Sequence, residues 1–173
     1  MIGVDFIEIK KNIKYLKLPK KRFEFRGQIN ERHLYDDYAH HPNEIKETIK
    51  LGRLLIKQKN NNECQKSRLI AIFQPHRYSR VKQFTKEFAE ELSKADIIYL
   101  TSIYGAGEDN EDKISSKIIT DLICKKNKNV SYINNYHEIT KNFYQLTQKC
   151  DLILNMGAGD CHNFWSILNE ENN

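Results

Sequence analysis

Beyond residue 68, the chain alternates short, continuously apolar runs with longer segments whose apolar residues recur every three or four positions. The apolar runs predict strands and the periodic segments predict helices. The predicted strands are Leu69–Phe73, Ile97–Leu100, Val130–Ile133 and Leu152–Met156, and the helices that follow them include Val81 to Leu92, Ile114–Cys124, Glu138–Thr147 and Phe164–Leu168. Strands that are apolar on both faces, separated by amphipathic helices, are typical of a parallel sheet between two helical layers. The predicted fold class is therefore α/β, a three-layer domain with a mostly parallel sheet and helices on both faces.

The N-terminal part of the chain predicts a different local order. A short helix is expected over residues 5–16, followed by two strands with a turn at Gly27 between them. Pro42 suits the first position of a helix, where its missing N–H is not needed. That helix is expected to run to about Lys59. The expected segments are the strands Phe23–Arg26 and His33–Asp36, and a helix that buries Ile45, Ile49, Gly52 and Ile56.

Composition narrows the possible partners. The 173 residues fit one domain, and the net charge is +5. Lysines between Lys10 and Arg26 flank apolar helix positions and accompany no nucleic-acid motif, so we expect no nucleic-acid partner. No apolar run approaches 18 residues and no signal-peptide pattern is present, which predicts a cytoplasmic protein without membrane insertion. The four cysteines show no CxxC spacing, so we expect reduced thiols and no metal site.

Polar segments follow two of the predicted strands. The first contains Asp36-Asp37, then Tyr38 and His40-His41. Neighbouring strand residues point to opposite faces, so the two acids are not expected to act as a close dyad. One acid could hold a ribose hydroxyl, a metal-bound water or a lysine, or could simply favour the helix N-terminus. One histidine is expected to meet a small substrate and the other to cap the helix.

The second segment is His76-Arg77-Tyr78-Ser79-Arg80. Arg77 and Arg80 are three residues apart, so in a helix they would share a face at its N-terminus. Two guanidinium groups and free backbone N–H groups favour a carboxylate or phosphate. A pair of surface arginines is the alternative. In parallel sheets, ligands bind at the carboxyl ends of strands, where both segments lie.

Two glycine turns, Gly105-Ala106-Gly107 and Gly157-Ala158-Gly159, also follow apolar strands. They could present backbone N–H groups to an anion, but tight strand-to-helix turns explain them equally well. No GxxxxGK[ST] phosphate loop occurs, so the chain has no visible means of holding a nucleoside triphosphate by itself.

Taken in order, five segments resemble the C-terminal domain of UDP-N-acetylmuramate–L-alanine ligases, a branch of the Mur ligase family. The resemblance covers roughly residues 18–168, and residues 1–17 resemble the end of that family's central ATPase domain. The matching segments are 21–24, 36–42, 73–80, 104–108 and 156–160. The resemblance implies a Rossmann-like domain (18–173) preceded by a tail of the central domain (1–17).

The resemblance also implies a reaction. In this family, ATP phosphorylates the lactyl carboxylate of UDP-N-acetylmuramate, and the amine of L-alanine attacks the acyl phosphate. The N-terminal and central domains are expected to lie outside this chain. ATP and Mg²⁺ are expected to be bound mainly by the central domain, so this chain alone is expected to be inactive and to hold no cofactor tightly.

The resemblance assigns roles residue by residue. Arg22 and Asp37 match an interdomain pair that contacts ATP. Together with His40 they are the expected catalytic residues. The positions that match those around the incoming L-alanine are Tyr38, His40, His76, Arg77 and Arg80.

Two features depart from the family pattern, and two other functions stay open. The segment 108–113 is more acidic than usual, and Cys161-His162 replaces an apolar continuation. One alternative is a murein-peptide ligase that reattaches recycled tripeptide, although such ligases typically lack the His-Arg-Tyr-Ser-Arg run seen here. The other alternative is a stand-alone binding module without catalysis.

Overall fold

The computed structural model describes residues 5–12, 20–59 and 66–171, which form six strands and seven α-helices. In chain order the elements are α1 (Phe6–Asn12), β1 (Glu24–Ile29), β2 (Arg32–Asp37), α2 (Pro42–Lys59), β3 (Leu69–Phe73), α3 (Tyr78–Leu92), β4 (Ile97–Leu100), α4 (Lys117–Cys124), β5 (Val130–Tyr132), α5 (Tyr136–Lys141), α6 (Phe143–Leu146), β6 (Leu152–Met156), a 3₁₀ turn (Asp160–Asn163) and α7 (Phe164–Glu171).

The strands form one sheet in the order β1-β2-β6-β3-β4-β5. The β1 strand is antiparallel to β2, and every other neighbouring pair is parallel. Residues of α2, α3 and α4 pack on one face of the sheet, and residues of α5, α6 and α7 pack on the other. The predicted three-layer α/β class with a mostly parallel sheet is confirmed.

The central strands β3 and β6 lie in the core of the fold. All five residues of β3 and all five of β6 are buried, because a helical layer covers each face. The α2 helix lies close to the sheet at Gly52, where an added Cβ would stand 2.8 Å from Leu69 Cδ1. The predicted burial of Ile45, Ile49 and Ile56 is confirmed, and the helix ends where it was predicted to end.

The first hairpin differs from its prediction. Gly27 does not form the turn; it lies inside β1, at a shift in register between Phe25 and Gly27. Asn30 and Glu31 form the turn, with φ of 44° and 64°. Two consecutive positive φ values are the geometry of a two-residue type I′ hairpin, whose twist matches that of the strands. The turn was predicted at Gly27 because glycine is common in turns. Glycine is equally common in β-bulges, which is where Gly27 lies.

Side-chain hydrogen bonds move several helix ends away from their predicted positions. Asn110 accepts from Ile114 N (2.7 Å) and donates to Ile114 O (2.9 Å), so Ile114 stays in the loop before α4. Asn135 accepts from Glu138 N at 3.0 Å and caps α5, which begins at Tyr136. Asn142 is non-helical and separates α5 from α6, so the helix predicted over residues 138–147 is two short ones.

Other expectations are only partly covered by the described residues. The helix expected over residues 5–16 is seen as α1, which buries none of its side chains, and positions 13–16 lie outside the described residues. The proposed boundary at residue 17 lies there too, and it stays a prediction. Within the described ranges, no helix combines the length and the apolar character that crossing a membrane requires.

The cysteines correct one expectation. Cys124 and Cys161 carry free thiols, as expected. Cys150 is disulfide-bonded, so the expectation of a reduced thiol is wrong there. Spacing along the sequence does not show which cysteines the fold brings together.

Candidate functional site

The candidate site lies at the carboxyl ends of β2, β3 and β6, beside the loop after β4. This edge is held together by backbone hydrogen bonds: Gln74 N donates to Met156 O (2.9 Å) and Gly157 N donates to Asp37 O (3.1 Å). Beyond the strand ends, a parallel bridge joins His76 to Tyr104. The two polar segments predicted from the sequence therefore meet at one edge of the sheet.

Asp36 and Asp37 point to opposite faces, as predicted. The buried Asp36 carboxylate accepts from Asn155 Nδ2 (2.9 Å) and Trp165 Nε1 (3.3 Å) on the α7 side. Burial raises the pKa of Asp36, although the Asn155 amide and nearby Arg26 oppose that shift. Asp36 therefore belongs to the packing of α7 against the sheet, and Asp37 is the acid at the site.

Asp37 organises the backbone around it. Its carboxylate accepts from Phe23 N and from Ala39 N, both at 2.8 Å. Burial raises the pKa of Asp37, and these two N–H donors and the charge of Arg22 act against that shift. Asp37 thus ties the start of β1 to the segment that enters α2.

Arg22 lies beside Asp37 and remains accessible. Its side chain is 44% exposed, and its Nη1 lies 3.5 Å from Glu44 Oε1. The guanidinium carbon is 5.5 Å from the centre of the Tyr38 ring. A half-exposed cation in this position can meet an anion on another domain or a ligand.

The two histidines that precede α2 have separate environments. Glu44 Oε2 accepts from His40 N (3.0 Å) and His41 N (3.2 Å), the reciprocal half of a helix cap. The His40 ring turns towards the site, with Nδ1 2.9 Å from Tyr38 O and its centre 5.8 Å from that of His76. The His41 ring instead packs edge-on against Phe84 at 4.8 Å.

His76 is the centre of the second polar segment. Its ring stacks on Tyr104 with centres 5.6 Å apart and an angle of 14° between the planes. Arg80 Nη1 lies 3.2 Å from His76 Nδ1 and donates to His76 O at 3.3 Å. Burial, followed by the positive charge of Arg80, lowers the pKa of His76 below 6.5. At neutral pH, His76 is therefore an uncharged base beside a permanent cation.

Arg77 does not follow the sequence prediction. It precedes α3 with φ of 70° and is not helical, so it does not share a helix face with Arg80. Its Nη1 faces Glu108 Oε1 at 3.7 Å, whereas Arg80 faces His76. The sequence prediction requires Arg77 to be helical, whereas α3 begins one residue later, at Tyr78. Both cations reach the site, but from different directions.

Three residues of this site were not predicted as site residues. Tyr104 forms one wall by stacking on His76, Glu44 holds the histidine backbone, and Glu108 faces Arg77. Gly159, which follows β6, allows the backbone there to lie close to Tyr104 and Gln74. A Cβ at this position would stand 2.6 Å from both Tyr104 Cγ and Gln74 Oε1. The signal available in the sequence for Tyr104 and Glu108 is the run 104–108 after β4, which predicts a backbone anion site or a tight turn but assigns no role to these two side chains.

The arrangement combines fixed cations with imidazole rings. Arg22, Arg77 and Arg80 supply positive charge, and His40 and His76 supply ring nitrogens within one small region. Such a set suits the carboxylate of a small zwitterion or a phosphate, with a base nearby. Among the described residues, no group of three or more His, Cys, Asp or Glu side chains is arranged to hold a metal ion.

Comparisons with known proteins agree on one family. The Mur ligase glutamate ligase domain matches residues 21–159. A UDP-N-acetylmuramate–L-alanine ligase of Prochlorococcus marinus subsp. pastoris is 64% identical over 173 residues, which is 99% of this chain and 37% of that protein. The enzyme of the same name from Synechococcus sp. strain CC9605 is 37% identical, over 97% of this chain and 36% of its own length. The chain thus spans about a third of the curated relatives it matches.

Solved structures support the fold. A UDP-N-acetylmuramate-alanine ligase from Thermotoga maritima superposes with a TM-score of 0.66 and 23% identity, over 88% of this chain and 30% of that one. A murein peptide ligase from Psychrobacter arcticus gives a TM-score of 0.64 and 21% identity over the same shares of the two chains. At these identities the likeness concerns the fold alone.

Proposed function

The chain belongs to the Mur ligase family, and we propose that it is the C-terminal, amino-acid-binding domain of a UDP-N-acetylmuramate–L-alanine ligase. In the whole enzyme, ATP would activate the lactyl carboxylate of UDP-N-acetylmuramate as an acyl phosphate. The L-alanine amine would then attack that carbonyl, forming the amide bond and releasing phosphate. We expect the whole enzyme to act in the cytoplasm. The observation that carries the proposal is the convergence of Tyr38, His40, His76 and Arg80 at one sheet edge, in a chain 64% identical to a ligase of that name.

The contacts support a division of roles within the site. Arg77 and Arg80 would receive the alanine carboxylate through charge-assisted hydrogen bonds. His76 has a lowered pKa and lies beside His40, so its uncharged ring could accept a proton from the alanine ammonium group and leave the free amine that attacks the carbonyl. The Tyr38 ring packs edge-on against His40 at 5.2 Å and would form the wall beside the alanine methyl group.

Arg22 and Asp37 would act at the domain boundary. Arg22 is half-exposed and could reach a triphosphate held by the central domain. Both Asp37 oxygens already accept backbone hydrogen bonds, so Asp37 would fix the loop that presents Arg22 and Tyr38. We propose that Mg²⁺ is held with ATP by the central domain.

A chimera tests the proposal. Residues 1–173 would replace the matching third of the Prochlorococcus relative. With ATP, UDP-N-acetylmuramate and L-alanine, the chimera should form UDP-N-acetylmuramoyl-L-alanine, and the isolated chain should form none. Arg22→Ala should lower kcat/KM of the chimera by at least about tenfold, since it removes a charge-assisted contact worth about 1.5–3 kcal/mol.

Lys86→Ala is the matched control, because Lys86 is exposed on α3 outside the site and its removal also costs one positive charge. Its kcat/KM should stay at the unsubstituted value. Product formed by the isolated chain would contradict the fragment assignment. A chimera that joins the tripeptide L-alanyl-γ-D-glutamyl-diaminopimelate in preference to L-alanine would favour the murein-peptide alternative instead.

A further inference from the structure

We infer that Glu108 is the positioning residue of Arg77: it is fixed to the start of α3 and holds the guanidinium group at the amino-acid site. This inference rests on the proposed function for its consequence in catalysis. The contact itself can be tested without that function. It gives a role to the glycine turn and to the acidic segment that follows β4.

The turn at residues 105–108 positions the carboxylate of Glu108. Glu108 N donates to Gly105 O at 3.1 Å, and the two residues between them, Ala106 and Gly107, have φ of 53° and 83°. Two positive φ values in succession reverse the chain tightly. The turn therefore closes on itself, and the Glu108 side chain that leaves it reaches the start of α3.

Ser79 fixes Glu108 in place. One carboxylate oxygen of Glu108 accepts from Ser79 N at 3.0 Å, and the other accepts from Ser79 Oγ at 2.7 Å. These bonds satisfy a free N–H group in the first turn of α3. They also hold the pKa of Glu108 below 4.5, so the side chain is ionised at neutral pH.

Arg77 is held by the same loop in two ways. Its backbone N–H donates to Tyr104 O at 2.8 Å, and its φ is 70°. Its Nη1 lies 3.7 Å from Glu108 Oε1, an ion pair longer than a hydrogen bond, and half of the side chain is exposed. Glu108 therefore orients the guanidinium group and leaves its remaining N–H groups free for a ligand carboxylate.

The loop is also braced farther along. Lys82 on α3 pairs with Asp112 at 2.7 Å, and Asn110 closes the segment onto Ile114. Glu111 is exposed in the same loop and has no described ion pair or hydrogen bond with Arg77 or α3, so it provides a matched acidic control.

The first test uses the chain by itself. The side-chain Nε–H signal of Arg77 in ¹⁵N-correlated NMR spectra should shift in Glu108→Gln and stay in place in Glu111→Gln. The Ser79 amide should titrate with an apparent pKa below 4.5 in the unsubstituted chain and lose that titration in Glu108→Gln. An Arg77 signal that is unchanged in Glu108→Gln would overturn the inference, whatever the activity of the chimera.

The second test uses the chimera. Glu108→Gln should raise KM for L-alanine by roughly threefold to tenfold, with little change in kcat or in KM for ATP. Added to Arg77→Ala it should have no further effect, and added to Arg80→Ala it should act in full. A lower KM in Glu108→Gln would show that Glu108 competes with the substrate, and equal effects in both backgrounds would show a general structural role; each would overturn the inference. If no form of the chimera makes product, the proposed function fails and the NMR result alone decides the contact.

Discussion

At the scale of single residues, the adjacent acids Asp36 and Asp37 lie in different surroundings, and Asp36 is the one buried against α7. Asp36 accepts hydrogen bonds from Asn155 and Trp165 in a buried position, and burial raises its pKa above 3.8. The folded chain thus binds more protons than the unfolded chain as pH rises from 3.8 to the raised pKa. In that window the carboxylate lowers the free energy of unfolding progressively.

Asp36→Asn keeps an oxygen acceptor for both donors and cannot ionise. Its free energy of unfolding minus that of the unsubstituted chain should therefore grow as pH rises through the window, and then stay constant. Denaturant unfolding at several pH values from 3.5 to 7 measures this difference in the free energy of unfolding. The pKa of Asp37 is also raised, but Asp37 is present in both chains, so its contribution cancels in the difference. Asp36→Ala should destabilise by about 1–3 kcal/mol, because it leaves the Trp165 N–H without its acceptor. A difference that falls with pH would contradict the argument.

At the scale of elements, the sequence correctly predicts the strands and helices whose buried faces give them a clear pattern of apolar residues. The fully buried strands β3 and β6 and the long helix α2 lie at their predicted bounds. Errors occur where a local hydrogen bond or a backbone angle decides. Asn142 divides one predicted helix, the Asn30-Glu31 turn displaces the one expected at Gly27, and Arg77 takes φ of 70° one residue before α3. Hydrophobic periodicity carries no information on such contacts.

Gly52 gives an element-scale prediction about the distance between α2 and the sheet. In an exposed helix, Gly→Ala stabilises by about 1 kcal/mol. Here the new Cβ would stand 2.8 Å from Leu69 Cδ1 and 3.2 Å from Leu154 Cδ1, so Gly52→Ala should be destabilising by about 1–2 kcal/mol net. Thermal or denaturant unfolding of the chain measures this. Leu69→Ala removes the contacting methyl, and in that background Gly52→Ala should cost less; equal costs in both backgrounds would contradict the close-packing argument.

At the scale of the whole molecule, the sheet brings together residues that are far apart in sequence. The segments that begin at Asp36 and His76 could be predicted to meet, because the carboxyl ends of parallel strands share one edge. The pairings within the site could not be predicted, because they depend on the loop after β4. Tyr104 stacks on His76 and Glu108 faces Arg77 only in the folded chain.

The proposed roles of Arg77 and Arg80 predict a pattern of amino-acid selectivity for the chimera. They would read the carboxylate, which all amino acids share, so Arg77→Ala and Arg80→Ala should each lower kcat/KM for alanine, glycine and serine by similar factors. Only the pocket around the methyl group separates these substrates, so glycine and serine should be slower than alanine by roughly ten- to two-hundredfold. Steady-state rates with the three amino acids measure both effects. A variant that loses alanine while keeping glycine would contradict carboxylate recognition.

The same pair of variants should differ in their pH dependence, because Arg80 lies against His76 and Arg77 does not. Arg80 is the largest charge that lowers the pKa of His76, so Arg80→Ala should move that pKa up towards 6.5. If His76 must be uncharged to accept a proton, the acidic limb of the kcat/KM profile should move to higher pH in Arg80→Ala. Arg77 has a smaller influence on His76, so Arg77→Ala should move the limb less. Equal shifts in the two variants would show that the limb reports a group other than His76.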